Sequence, residues 1–338
     1  MKPTERAKQA LAYKLVDYLC DDPENNMANI MGKIDALAPA SLFAEQRAAF
    51  SDAIKNKTNM YQLIMRVMDL NPEVRADLLK TFVMDANFLA WGKQEKMRER
   101  HQCNIPWAIL LDPTSACNLH CTGCWAAEYG HALNLAYDEI DSIIRQGKEL
   151  GVHVYIYTGG EPLVRKRDLI RLCEAHPDCA FLCFTNSTLI DEEFCQEMIR
   201  VKNFVPAISA EGDEAATDGR RGAGTYAKVD AAMDLLASHG LPFGVSICYT
   251  HDNAHSVASD AYFDWLIDKG ALFAWIFTYM PVGASAPTGL LATAEDRAFM
   301  YRQIRAFRET KPLFTMDFWN DGEYAGGCVA GAGTLQNP

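Results

Sequence analysis

Six short runs, almost wholly apolar, recur between residues 107 and 279, at 107–111, 153–158, 180–185, 204–209, 243–249 and 272–279, and segments with helical spacing fit between them. A strand with one wet face alternates polar and apolar residues, whereas a near-continuous apolar run belongs to a strand covered on both faces. Repeated strand–helix units imply parallel pairing through right-handed crossovers. The intervening stripes are Ile140, Ile143, Ile144 and Leu150, then Tyr226, Val229, Met233 and Leu236. Met300, Ile304 and Phe307 mark a last helix over 294–308. Six such units suit a partial or open barrel, and a doubly wound open sheet would carry the same pattern. In either architecture ligands meet the carboxyl ends of the strands. Residues 312–319 offer one further strand.

Before this repeat, residues 1–100 read as all helical. Leu11, Leu15 and Leu19 recur at helical spacing until Asp21-Asp22-Pro23 breaks the run, and Asn71-Pro72-Glu73 is a capped helix start. Leu78, Leu79, Phe82, Val83 and Phe88 are expected on one broad apolar face. The spacing predicts a helical region over 1–100, a barrel over 105–310 and a glycine-rich, partly disordered C-terminal extension over 311–338. The helical region is expected to shape a substrate entrance or to bind a partner. A net charge of −12 with no basic stripe argues against nucleic acid. The N-terminus lacks the apolar core of a signal peptide, and no run is long enough for a membrane span, so a cytoplasmic protein is expected. Eleven unevenly spaced cysteines then read as reduced thiols. Cys173, Cys183, Cys195 and Cys248 lie in apolar segments and are expected as small core residues.

Two segments depart from this pattern at the strand ends. After the first run comes Asp112-Pro-Thr-Ser-Ala-Cys-Asn-Leu-His-Cys-Thr-Gly-Cys-Trp125. Cys117, Cys121 and Cys124 bring together three thiolates, one fewer than a closed tetrahedral site needs. Three ligands on a four-iron cluster leave one iron free for a non-protein group, which points to metal-dependent redox chemistry. Zinc is the competing occupant, with His120 as a poorly spaced fourth ligand. After the second run comes Tyr157-Thr158-Gly159-Gly160-Glu161-Pro162. Paired glycines let the backbone approach a ligand closely, and a carboxylate with exposed carbonyls can receive an ammonium group.

In this order the two motifs resemble the radical S-adenosylmethionine (radical SAM) superfamily, over roughly residues 105–285. The resemblance implies a partial (β/α)6 TIM-type barrel with an all-helical N-terminal region added. It implies that Cys117, Cys121 and Cys124 hold a [4Fe–4S] cluster whose free iron binds S-adenosyl-L-methionine, with Gly159, Gly160 and Glu161 at the methionine amino group. Phe184-Thr-Asn-Ser-Thr-Leu-Ile190 is similar to a Thr-Asn-Gly-Thr segment of the superfamily, with Ser187 in place of the glycine, and Asn186 would contact the cofactor. Ala207-Ile-Ser-Ala-Glu-Gly212 resembles its Ser-x-Asp-Gly segment. There Ser209 would touch the cofactor and Glu211 keeps the charge of the aspartate. Arg220 or Arg221 would pair with a carboxylate of the cofactor or with Glu211, and Arg221 is taken as the cofactor contact.

Met280-Pro-Val-Gly283 is a candidate pocket lining. Trp125 and Tyr129 either cover the cluster or pack in the core. Gly326-Gly-Cys-Val-Ala-Gly331 resembles the start of a SPASM-type extension, with Cys328 opening a second cluster site that would need residues beyond 338. The activity implied is reductive cleavage of S-adenosylmethionine to a 5′-deoxyadenosyl radical that abstracts hydrogen. A flavodoxin- or ferredoxin-type donor would supply the electron, and the substrate would be a peptide, a lipid or a small molecule. No general acid or base can be named; Asp317, Asp321 and Glu323 are weak candidates and are expected rather as solvated loop carboxylates. The competing readings are a zinc-stabilised binding module, a cluster-bearing electron carrier and an inactive remnant.

Overall fold

Every strand pairs in parallel with its successor in sequence. In the computed structural model, which describes residues 3–37, 44–282 and 286–322, β1 (Ala108–Thr114), β2 (Val154–Gly159), β3 (Ala180–Thr185), β4 (Phe204–Ser209), β5 (Gly244–Tyr249), β6 (Phe273–Thr278) and β7 (Phe314–Asp317) lie side by side in that order. A doubly wound sheet would reverse its strand order at a switch point, and no reversal occurs here. The sheet is therefore an open barrel of the expected kind, extended by β7 beyond the six anticipated units. β1 and β7 do not pair, so one side stays open.

The strand limits follow the apolar runs closely except at β1. That strand continues past Leu111 through Pro113 to Thr114, with a register irregularity against β2. Proline cannot donate to a ladder, and an edge strand tolerates it.

Alternation along each strand divides the side chains between two faces. The outer face carries Leu111, Tyr155, Tyr157, Phe181, Cys183, Ile208, Ile247 and Ile276 into one continuous core. The helices supply its other half: Ile140 and Ile144 from α7 (Tyr137–Leu150), Leu169 from α8 (Lys166–Ala175), Phe194 and Met198 from α9 (Glu192–Val201). Further round the barrel come Met233 and Leu236 from α11 (Thr225–Ser238), Phe263 from α13 (Asp260–Asp268), and Met300 and Ile304 from α14 (Ala294–Thr310). Phe181 stacks on both Tyr155 and Tyr157. The inner face is aromatic on its far side, where Phe184, Trp275, Phe277 and Phe318 pack on one another. Cys173, Cys183 and Cys195 are buried, as expected, but Cys248 is only half-buried because it falls on the inner face.

The N-terminal helices are α1 (Pro3–Asp21), α2 (Pro23–Leu37), α3 (Ala44–Asn56), α4 (Asn59–Met68), α5 (Pro72–Leu78) and α6 (Ala90–His101). They dock through side chains and backbone groups that reach the connections entering the strands. Asn59 bonds the Arg308 and Lys311 carbonyls, Arg66 those of Ile267 and Pro312, and Gln94 that of Gly151, while the Asn71 N–H donates to Gly240. Those carbonyls lie at the amino ends of β2, β5, β6 and β7. The helical region thus docks at the amino ends of the strands, the end opposite the cysteine loop. The shared apolar face is corrected. Between α5 and α6 the chain winds as a π-helix over Leu79–Leu89, and a wider turn rotates side chains out of 3.6-residue register. Phe82 and Phe88 are exposed, and Phe82 rests edge-on against Trp107.

One position on the inner face tests this packing. A Cβ on Gly244 would stand 2.4 Å from the Phe273 ring of the neighbouring strand. Gly244→Ala is expected to cost about 1–3 kcal/mol through overpacking, measured as a lowered denaturation midpoint with an unchanged slope.

Candidate active site

The segment after β1 crosses the carboxyl ends of the strands and is tied to each element it passes. The Gly160 N–H donates to the Thr114 carbonyl at 2.9 Å and the Glu161 N–H to the Ala116 carbonyl at 2.8 Å. A Cβ on Gly160 would lie 2.3 Å from the Ala116 oxygen, so only glycine permits this approach. Asn118 accepts from Asn186 Nδ2 at 2.9 Å and donates to Thr188 Oγ1 at 2.8 Å, which binds the segment to the end of β3. The Thr122 N–H donates to the Arg220 carbonyl at the end of α10 (Glu214–Arg221), and Gly123 packs under the Tyr279 ring beyond β6.

Cys117, Cys121 and Cys124 are all half-buried on this segment and carry no disulfide. They stand close enough for each thiolate to feel the others. Burial pushes the Cys117 and Cys121 thiols up, and at Cys121 the guanidiniums of Arg221 and Arg220 work the other way. Among the described residues, the trio of potential ligand atoms lying within 4.8 Å of one another is His153, Asp178 and Cys179, not these cysteines. Thiolates around one tetrahedral zinc sit about 3.8 Å apart. Not every pair of loop thiols lies within 4.8 Å, and three soft donors fit a polynuclear cluster. His120 does not join them; its ring packs edge-on against His131.

Glu161 lies wholly inside. Its carboxylate accepts from Thr185 Oγ1 at 2.7 Å, the Asn186 N–H at 2.7 Å and the Leu163 N–H at 2.9 Å. Burial pushes this carboxyl up, against the pull of the three donors. Asn186 spends its own carbonyl oxygen on Thr188. Ser187 adopts φ +60°, a left-handed backbone that glycine would enter freely. Ser209 ends β4 on the inner face, level with Ser246. Glu211, just beyond, is fully buried. One of its oxygens receives Arg220 Nη1 at 2.5 Å and Arg221 through Nε at 3.0 Å and through Nη2. Arg221 Nη1 also reaches Cys121 Sγ at 3.9 Å. Burial disfavours the Arg220 charge, but Glu211 outweighs it and holds the guanidinium protonated. Both arginines thus pair with Glu211, and Arg221 joins it to the cysteine loop.

Trp125 and Tyr129 are not core residues. They meet edge-on at 5.8 Å and line a cavity of about 340 Å³ together with Asp112, Leu133, Gly159 and Gly160. Sequence reasoning assigned no role to Asn118, Tyr279 or Asp112. The charge of Asp112 at the end of an apolar run was the one available signal. Met280 and Val282 are exposed, while Gly283, Glu323 and the whole Gly326–Gly331 stretch with Cys328 lie outside the described residues. Asp317 is buried under Asn320, and Asp321 pairs with Arg308, so neither is the solvated loop carboxylate expected. The reason is β7, which carries Asp317 into the sheet.

Residues 111–259 match the family model described as "Radical SAM superfamily". Over that stretch, a little under half of the chain, the sequence is similar to radical SAM proteins. Its similar relatives include an AdoMet-dependent heme synthase of Methanosarcina barkeri, 24% identical over 62% of this chain and 60% of that one. The corresponding heme synthase of Nitratidesulfovibrio vulgaris is 30% identical over 53% and 49%. The match thus covers about half to three-fifths of the length of these two relatives. The crystal structure of Streptococcus suis SuiB bound to S-adenosylmethionine superposes with a TM-score of 0.58 at 19% identity, covering 71% of this chain and 60% of that one. The same protein bound to its precursor peptide SuiA gives 0.55 at 17% identity, with 70% and 54% covered. Members of the superfamily use a [4Fe–4S] cluster and S-adenosylmethionine.

The network around Glu211 leads to a measurable consequence. Glu211→Gln leaves two buried guanidiniums without their counter-charge, which is expected to cost about 3–5 kcal/mol. Thermal or chemical unfolding measures it, and a loss below about 1 kcal/mol would show that the arginines find other partners.

Proposed function

We propose that this chain is a radical SAM enzyme in which Cys117, Cys121 and Cys124 hold a [4Fe–4S] cluster at the mouth of β1. S-adenosylmethionine lies beside it, against Gly159, Gly160 and Ser209. When bound, the pair supplies a 5′-deoxyadenosyl radical, formed as an external electron breaks the sulfonium C–S bond, and this radical removes a hydrogen atom from the substrate.

The residues divide the remaining work. Gly159 and Gly160 bring bare backbone to the ligand. Glu161 and Asn186 act as positioning residues, because their polar atoms are spent on fixing the ends of β2 and β3. Arg221, anchored by Glu211, sets a positive charge against Cys121 and so favours the electron-rich state of whatever that sulfur ligates. The electron comes from a flavodoxin- or ferredoxin-type protein, and the working compartment is the cytoplasm, where ten described cysteines stay reduced. Among the described residues no helix is long and apolar enough to cross a membrane. The substrate class spans peptides, lipids and small molecules.

The observation that carries this reading is three half-buried, unbridged thiols on one segment that is fixed by bonds to three neighbouring elements. The experiment is anaerobic reconstitution followed by iron and sulfide analysis, then dithionite reduction with S-adenosylmethionine. About four irons per chain and formation of 5′-deoxyadenosine are expected. Cys121→Ala is expected to lose both while keeping the far-UV circular dichroism of the barrel. Zinc in place of iron, or a cluster without cleavage of S-adenosylmethionine, would overturn the proposal.

A further inference from the structure

Asp112 is an exposed carboxylate on the lining of the cavity beside the cysteine loop, without a counter-charge among the described residues. Leu111 faces the helix-side core, so Asp112 and Leu110 face inward. The cavity beside the cysteine loop is lined by Asp112, Trp125, Tyr129, Leu133 and Gly159, and Asp112 is the charged member of its lining. Among the described residues no hydrogen bond or ion pair reaches that carboxylate. Arg165 approaches the same stretch of β1 but is spent on the carbonyls of Pro113 and Leu135 and on Asp168. Partial burial pushes the Asp112 carboxyl up, with nothing among the described residues opposing it.

The surroundings specify the missing partner. Trp125 and Tyr129 stand edge to face at 5.8 Å and remain 41% and 53% exposed. A carboxylate beside two free aromatic rings is the chemistry that receives a cation on an apolar stem, through charge-assisted hydrogen bonds on one side and ring quadrupoles on the other. Access comes from the open side of the barrel. Leu110 on β1 and Phe314 on β7, which face that gap, are 57% and 49% exposed.

We propose that Asp112, with Trp125 and Tyr129, receives an ammonium or guanidinium group of the substrate, held next to the cysteine loop. This rests on the radical SAM reading for the identity of the site as a substrate site. S-adenosylmethionine is itself cationic, so the test must separate the two sources of positive charge.

The reconstituted holoenzyme is titrated, with and without saturating S-adenosylmethionine, with three probes: N-acetyl-lysine amide, N-acetyl-arginine amide and the neutral N-acetyl-norleucine amide. Binding is read by ligand-observed NMR, independently of turnover. With S-adenosylmethionine bound, a cationic probe is expected to bind at least about tenfold tighter than the neutral one. Asp112→Asn is expected to erase that preference and to leave the affinity for S-adenosylmethionine within about twofold. Equal binding of charged and neutral probes overturns the proposal. So does an Asp112→Asn variant that loses about tenfold or more in affinity for S-adenosylmethionine, which would give the carboxylate to the cofactor. Should Asp112→Asn fail to load iron, Tyr129→Leu replaces it. A threefold or greater weakening of the cationic probes alone is expected there, and unchanged binding counts against the site. Formation of 5′-deoxyadenosine by the same samples reports separately on the radical reading.

Discussion

Close backbone contact between the two motif-bearing loops is the constraint on which the site depends. The Gly160 and Glu161 N–H groups donate to carbonyls of the segment that leads into Cys117. That geometry places the peptide of Gly160 within reach of the Ala116 oxygen, where any side chain would collide with it. Once formed, it leaves Glu161 pointing down between β2 and β3. There the carboxylate replaces the missing ladder partner for the Asn186 N–H at the point where β3 ends. Whatever else it contacts, Glu161 is a strut whose removal would loosen the loop above it.

Charge is handled in the same way on the other side of the loop. Glu211 is fully buried, a costly position for a carboxylate unless cations answer it. Two adjacent arginines do so, and because they sit at the end of α10 their carbonyls are free to take other donors. The Arg220 carbonyl takes the Thr122 N–H. One short helix therefore brings two cations to Glu211, a guanidinium to Cys121 and a backbone acceptor to the cysteine segment. The positive charge near Cys121 stays there because Glu211 anchors it, in a setting where field strength is high and water is scarce.

Most of the barrel was legible in the sequence because strands covered on both faces leave uninterrupted apolar runs, and five of the six anticipated runs match their strands to within a residue at either end. β1 is the exception, since a proline near its end hides a strand that only its position at the sheet edge permits. The cysteines and the glycine pair were legible because their chemistry demands a fixed local spacing. What could not be read were contacts that depend on how distant segments meet. Nothing local distinguishes Asn118 as the partner of Asn186, or Tyr279 as the cover of Gly123. The docking of the N-terminal helices follows from carbonyls in four separate connections, none of which carries a sequence signature. Phe88 was misplaced because a 3.6-residue period was assumed across a π-helical stretch. Ser187 shows the reverse case. A serine stands where glycine would enter the left-handed form freely, yet the chain takes that form, with the Ser187 N–H held by Thr185 Oγ1 at 3.0 Å.

The open side of the barrel is not open along its whole height, and this decides where a substrate can approach. An unpaired edge strand invites association with other chains. At the upper end of β1 the following segment turns back to cover that edge: the Ser115 N–H donates to the Leu133 carbonyl, the Leu135 N–H to Pro113, and Thr114 bridges Asn134 in antiparallel sense. The same cover forms one wall of the cavity that holds Asp112, and the Trp125–Tyr129 turn forms another. Lower down, the floor is occupied by the N-terminal helices. The approach that remains passes between the inner faces of β1 and β7, where Leu110 and Phe314 are bare. It leads past an aromatic wall that offers no charge of its own. Among the described residues, Asp112 is the charged member of the lining of the cavity there, one loop away from the three thiols.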